Sequence, residues 1–206
     1  MSSRETILGS IRSHLAASPP CDPPAFPALT SSEIPTTTPL VELFKQSLEA
    51  VNGHCLVVQT EEEITRILRN FGERIAISDA PVLWRLMPDV EVAPNASDIF
   101  KFDVGISTAQ AAIAETGTLV LDSARERHRF VSLVPPVHIA IIDAATIFQT
   151  LGEALAFIHH DNNINPAVTF ITGPSRTADI ELTLAIGVHG PQELYVIINE
   201  GPPLTH

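Results

Sequence analysis

A chain of 206 residues with 45% hydrophobic and 17% charged residues is long enough to bury one substantial core and too apolar to be disordered at domain scale. Its net charge of −12, with Lys only at positions 45 and 101, opposes general affinity for nucleic-acid phosphates or an anionic membrane surface, which need clustered cations. Only Cys21 and Cys55 are present, which excludes a disulfide framework or a cysteine metal cluster; no N-terminal apolar segment has signal length, and no run approaches the roughly 18 apolar residues of a membrane span, so a cytoplasmic setting is expected.

Residues 3–17 predict a short amphipathic helix, with Ile7, Leu8, Ile11 and Leu15 at helical spacing behind a Ser2 or Ser3 cap. From Ser18 to Pro39, prolines at 19, 20, 23, 24, 27, 35 and 39 stand among Ser and Thr, removing backbone donors and favouring an extended arm. Residues 1–39 are therefore expected to be a helix and proline-rich arm, and residues 40–206 one α/β domain. Pro39 suits the first turn of a helix over roughly 40–51, where Leu40, Phe44, Leu48 and Val51 form an apolar stripe. His54–Gln59 reads as a strand. Thr60 and Glu63 have capping-box spacing and open a helix to about Phe71, after which Arg74–Ser78 resembles a buried strand. Between Val104 and Asp122, two apolar stretches flank Glu115-Thr116-Gly117-Thr118, predicting strand, tight turn, strand. Beyond them the pattern predicts a strand at His138–Asp143, a helix at Ala145–His159, a strand at Val168–Thr172, a helix at Thr177–Ile186 and a last strand at Leu194–Ile198.

Two segments carry polar chemistry. Gly173-Pro174-Ser175-Arg176-Thr177-Ala178-Asp179-Ile180-Glu181 follows a β-branched strand and is expected to open a helix, whose unpaired amides and dipole favour an anion. With Ser175 as cap, Arg176, Asp179 and Thr183 share a face and Glu181 points elsewhere; the plainer reading is that Ser175 only caps and Asp179 only favours the dipole. The strand–Gly-x-Ser order resembles a nucleophile elbow, but Thr177 stands where that motif has its second glycine. Glu115 follows Ala111-Ala112-Ile113-Ala114, apolar surroundings in which a carboxylate needs partners or a raised pKa; the alternative is a carboxylate that merely accepts turn amides. Gly117 serves backbone conformation or close approach. His159 and His160 end a helix, where cations are favourable, while His138 and His189 adjoin an apolar strand and a Gly-Pro turn. The eight histidines show no metal-ligand spacing, and no metal is expected. Arg125, Arg127 and Arg129, spaced by two, point one way on an extended backbone and suit a small anion.

Taken together and in order, the stretches IAETGTLVL at 113–121, SLVPPVHIAII at 132–142, GPSRTADIE at 173–181 and GVHGPQELYVII at 187–198 resemble the lactate utilization domain family. The resemblance implies an α/β fold with a mainly parallel sheet flanked by helices, similar to sugar-phosphate isomerases, acyl-CoA transferases and methenyltetrahydrofolate synthetase. It also implies a role in oxidising L-lactate to pyruvate beside two partner proteins. There the iron–sulfur clusters belong to cysteine-rich partners, and this chain resembles the member that binds no cofactor itself.

Position by position, the matching residues are Glu115, Thr116 and Gly117; Arg129 before Ser132; Pro135, Pro136 and His138; Gly173, Pro174, Ser175, Thr177, Asp179 and Glu181; and His189, Gly190 and Pro191. From these, Arg129 and the amides after Gly173 are expected to hold a small carboxylate such as lactate, while Glu115 or Asp179 handles a proton. Thr116, Gly117, Thr118, His138, Gly173, Ser175, Thr177, Glu181 and His189 complete the expected ligand contacts. The alternatives are a stand-alone isomerase- or CoA-transferase-like enzyme using Glu115 as base or nucleophile, and a scaffold whose proline-rich arm docks on a partner.

Overall fold

The computed structural model describes residues 3–17, 38–90, 92, 97–123, 125, 129–159, 167–178, 184–186 and 190–204. The chain divides into two compact units, Met1–Glu33 and Ile34–His206. In the first, helix α1 spans Ser3–Ala17, and Ile7 and Ile11 of its apolar stripe are exposed.

The second unit opens with α2 (Leu40–Ala50), β1 (His54–Val58), α3 (Glu61–Arg69), β2 (Ile75–Ile77) and α4 (Pro81–Leu86). It continues through β3 (Val104–Thr108), β4 (Ala111–Ile113), β5 (Thr118–Asp122), β6 (Val137–Asp143), β7 (Ile147–Phe148) and α5 (Leu151–His159). It closes with β8 (Val168–Ile171), β9 (Arg176–Ala178), β10 (Leu184–Ile186) and β11 (Glu193–Asn199). Where the sequence places the α3 cap, Glu63 N donates to Thr60 Oγ1 at 3.2 Å, and the Glu63 carboxylate accepts from Gln59 N at 2.8 Å.

Five strands form a wholly parallel sheet in the order β1-β11-β6-β3-β2. The strand–helix–strand unit read from residues 54–78 is present, but its two strands lie at opposite edges of that sheet. Strand alternation sends Val104, Ile106, Ile139, Ile141 and Ile197 to one face, where Ile64 and Leu68 of α3 and Leu83 and Leu86 of α4 cover them. The opposite face presents Ala140, Ile142, Leu194, Val196 and Ile198 to Phe44 and Leu48 of α2 and to Leu119 and Leu121 of β5. Phe44 and Leu48 are fully buried. Each contributes on the order of 1.5–3 kcal/mol, which fastens α2 to the sheet.

A second sheet runs β7-β4-β5-β8, with β5 antiparallel to both β4 and β8. Residues 104–122 are thus three strands in two sheets, not the single hairpin that the sequence predicts. The changeover is visible in the backbone: Ala109 N still bonds Ile141 O of β6, while Gln110 N bonds Val120 O of β5. The helix expected from Ala145 starts only at Leu151. Before it, the β-branched and aromatic pair Ile147 and Phe148 joins the second sheet beside Ala112 and Ile113.

The helix expected at Thr177–Ile186 is absent at both ends of that range. Arg176–Ala178 and Leu184–Ile186 pair as an antiparallel ladder. At the expected helix start, Gly173 has φ +81°, Ser175 N donates to Pro191 O at 2.8 Å, and Arg176 already belongs to β9. The amides after Gly173 therefore do not form a helix N-terminus, and the capping role of Ser175 falls with it.

Candidate functional site

The Glu115 turn and the Gly173 turn, more than fifty residues apart in sequence, meet beside the C-terminal half of α2. Gly117 has φ +64°, and a Cβ there would stand 2.4 Å from Leu48 N; Gly173 has φ +81°, and a Cβ there would stand 2.7 Å from Val51 O. Only glycine permits both the left-handed backbone and the close approach. Antiparallel pairing of β5 with β8 completes the junction, and the hydroxyls of Thr116, Thr118 and Thr172 form a chain across it with both O···O distances 2.7 Å. Thr172 was not singled out from sequence. Its position at the end of a β-branched strand, just before Gly173, was the available signal.

Two cavities adjoin at this junction and share Phe170 and Thr172 in their walls. The outer one, about 320 Å³, is lined by Ile113, Glu115, Thr116, Thr118 and Leu151 besides those two. Glu115 is exposed there and its amide donates to Gln149 O at 3.2 Å. The expectation of an acid enclosed by apolar groups is corrected: the hairpin lifts the carboxylate out of the buried Ala111–Ala114 run and into solvent. Thr118 is buried, as is Gly117.

The inner cavity, about 220 Å³, lies among Ser132, Leu133, His138, Gly173, Ser175 and Gly190. His138 is the second residue of β6, between Gly105 of β3 and Leu194 of β11. It is fully buried, with its Nε2 2.8 Å from Ser107 Oγ and its Nδ1 without a partner among the described residues. Burial pushes the imidazole down to about 3, so it is neutral at physiological pH. Ser107 was also missed from sequence, although a serine directly after the apolar Val104–Ile106 stretch was a usable signal. Both cavities lie towards the strand N-termini, whereas ligands of open parallel sheets commonly bind beyond the strand C-termini. At that other end a further cavity of about 320 Å³ is lined by Ala80, Pro81, Thr108, Gln110 and Arg125. Beside it, Asp143 accepts from Asn199 Nδ2 at 2.7 Å and from Leu204 N, which ties the C-terminal residues over β6 and β11.

Of the other expected residues, Asp179, Glu181 and His189 lie outside the described residues. Arg129 and Thr177 are described by their backbone only: Arg129 opens the 3-10 turn Arg129–Ser132, and Thr177 is in β9. Cys55 is half-buried and burial pushes its thiol up to about 11, which removes it as a nucleophile at neutral pH. Among the described residues, no three His, Cys, Asp or Glu side chains are grouped to hold a metal ion, and no helix is long and apolar enough to cross a membrane.

Fold and site together define an α/β protein with a five-stranded parallel sheet, a second, mixed four-stranded sheet, and two small adjoining cavities at the turns that follow β4 and β8. The chain belongs to the LUD domain family, whose pattern matches residues 85–199. It is 32% identical over 165 residues to a lactate utilization protein C from Anoxybacillus flavithermus, covering 78% of this chain and 70% of that one. Over 103 residues it is 41% identical to a lactate utilization protein C from Geobacillus, covering 48% of this chain and 43% of that one. An uncharacterised protein of Neisseria meningitidis is 45% identical over 100 residues, covering 46% of this chain and 41% of its own length. The chain thus spans under half the length of the latter two relatives. In fold it resembles the crystal structure of a DUF162 family protein from Deinococcus radiodurans, with TM-score 0.61 and 24% identity over 78% of this chain and 96% of that one.

Proposed function

We propose that the chain serves in L-lactate utilization, as a subunit of the system that oxidises L-lactate to pyruvate beside iron–sulfur partner proteins, with the paired cavities as its small-molecule site. One observation carries the site: all four motifs supply cavity walls, through Ile113 to Thr118, Ser132 to His138, Gly173 to Ser175, and Gly190 to Leu194. Segments spread over eighty residues converge on one junction, and the relatives named lactate utilization protein C supply the metabolic context.

In this reading the chain binds no cofactor of its own and electrons leave through clusters on the partners. Glu115, exposed at the outer cavity, takes or gives a proton at the substrate's reacting end. Arg129, at the start of the turn leading to Ser132, is chemically suited to a carboxylate, and Asp179, one residue past β9, is a second proton carrier. Deleting the gene is expected to abolish growth on L-lactate and spare growth on glucose; normal growth on lactate would remove the metabolic role. Glu115→Gln should lower lactate-dependent activity at least tenfold, and unchanged activity would remove its proton role. The exposure of Glu115 also suits a second reading, an acyl-CoA transferase-type enzyme with this carboxylate as nucleophile. Incubation of the purified chain with acyl-CoA and a mass adduct on Glu115 would establish that reading instead.

A further inference from the structure

The cavity of about 320 Å³ at the carboxyl end of the parallel sheet shares no described wall residue with the paired cavities. Three turns bring its wall together: Ala80 and Pro81 follow β2, Thr108 ends β3 with Gln110 leading into the second sheet, and Arg125 lies just past β5. Ligands of open parallel sheets commonly bind at this end, where loops supply the side chains. We infer that this cavity is a second binding site, for the phosphate group of a small phosphorylated molecule.

The direction of the hydrogen bonds in the wall names the chemistry. Thr108 and Gln110 are 3% and 8% exposed, so the fold holds their polar groups in place. The Asp122 amide can only donate, and at 2.7 Å it fixes Oε1 of Gln110 as the acceptor. The Gln110 nitrogen is thereby turned towards Thr108, where it donates to Oγ1 at 3.3 Å and to the carbonyl at 3.5 Å. A hydroxyl that accepts in this way still has its own proton to give. The chain from Asp122 through Gln110 therefore runs one way and ends on a donor, the Thr108 hydroxyl, in a residue of the cavity wall. Arg125 adds a cation from the other side, on a turn closed by the bond from Arg125 N to Asp122 O at 3.1 Å. A guanidinium facing neutral donors suits an oxyanion. Phosphate fits better than a carboxylate, because its three acceptor oxygens take bonds from both sides at once. The volume equals about ten waters at roughly 30 Å³ each, room for the phosphate and a small organic remainder.

The test is NMR on the whole chain, with ¹⁵N-labelled glutamine side chains and ¹³C-methyl-labelled threonine, titrated with inorganic phosphate and, at equal ionic strength, with acetate. The expected result is a saturable shift of the Gln110 side-chain amide and the Thr108 methyl with phosphate, and an apparent affinity at least fivefold weaker for acetate. Arg125 is exposed, so Arg125→Gln should fold normally, keep the slow exchange of the Asp122 amide, and bind phosphate at least tenfold more weakly. An equal response to acetate would overturn the assignment to phosphate. Unmoved Gln110 and Thr108 signals, or an undiminished response in Arg125→Gln, would overturn the site itself. Neither failure touches the reading of the paired cavities, on which the Thr116, Thr118 and Thr172 methyls report separately.

Discussion

Replacing His138 by glutamine removes the one buried histidine of the parallel sheet and tests its protonation state through stability. Burial lowers the imidazole from its ordinary value of 6.5 to about 3 in the fold, with desolvation as the cause. Between those values the unfolded chain holds a proton that the folded chain refuses, so stability is fully present above 6.5 and falls as pH drops towards 3. From pH 7 to pH 5 the loss from this one group is about 2 kcal/mol, set by the unfolded value as long as the folded one lies well below 5. His138→Gln is less stable overall but cannot show this component. Urea unfolding at both pH values should find the wild type losing about 2 kcal/mol more than the variant, since all other groups titrate alike in both. Equal losses would mean that the folded imidazole takes up a proton by pH 5, contradicting a dry, neutral His138.

The junction and the sheet ends yield further expectations. Gly117→Ala forces a left-handed backbone on a residue with a Cβ, 2.4 Å from Leu48 N, and should cost at least about 2 kcal/mol by thermal or urea unfolding. Asp143→Ala leaves Asn199 Nδ2 and Leu204 N without their carboxylate and should cost about 2 kcal/mol, with faster amide exchange at Leu204 as the specific readout. Thr60→Ala removes the acceptor for Glu63 N and should cost about 1 kcal/mol, lost at the start of α3 alone.

Elements whose local signals agree with their tertiary role were legible from sequence. α2 and α3 declare themselves through apolar spacing and, for α3, a cap; β6 and β11 do so as mainly apolar runs rich in Val and Ile, as expected of strands covered on both faces. Failures occur where tertiary pairing overrides a local preference. The Thr177–Ile186 range has helical spacing, yet its described ends pair with each other as an antiparallel ladder. Ile147 and Phe148 look like a helix beginning until β4 supplies a partner strand. The site was half legible: Glu115, Thr116, Gly117, Gly173, Ser175 and His138 were named and do line or frame the two cavities. Their arrangement was not, because the Thr118–Thr172 bond and the Ser107–His138 pair are contacts between distant strands that no spacing reveals. The exposure of Glu115 likewise depends on where the hairpin emerges from its sheet, which residue types alone do not specify.

The central claim is that a cavity built from four separated motifs is what the chain contributes to L-lactate utilization. Complementation of a deletion strain with Ser175→Leu tests it most directly, because the substitution fills the inner cavity from its wall. The account predicts that the wild-type gene restores growth on L-lactate, and that Ser175→Leu, at equal soluble level and with normal growth on glucose, does not. Full restoration by Ser175→Leu would contradict it.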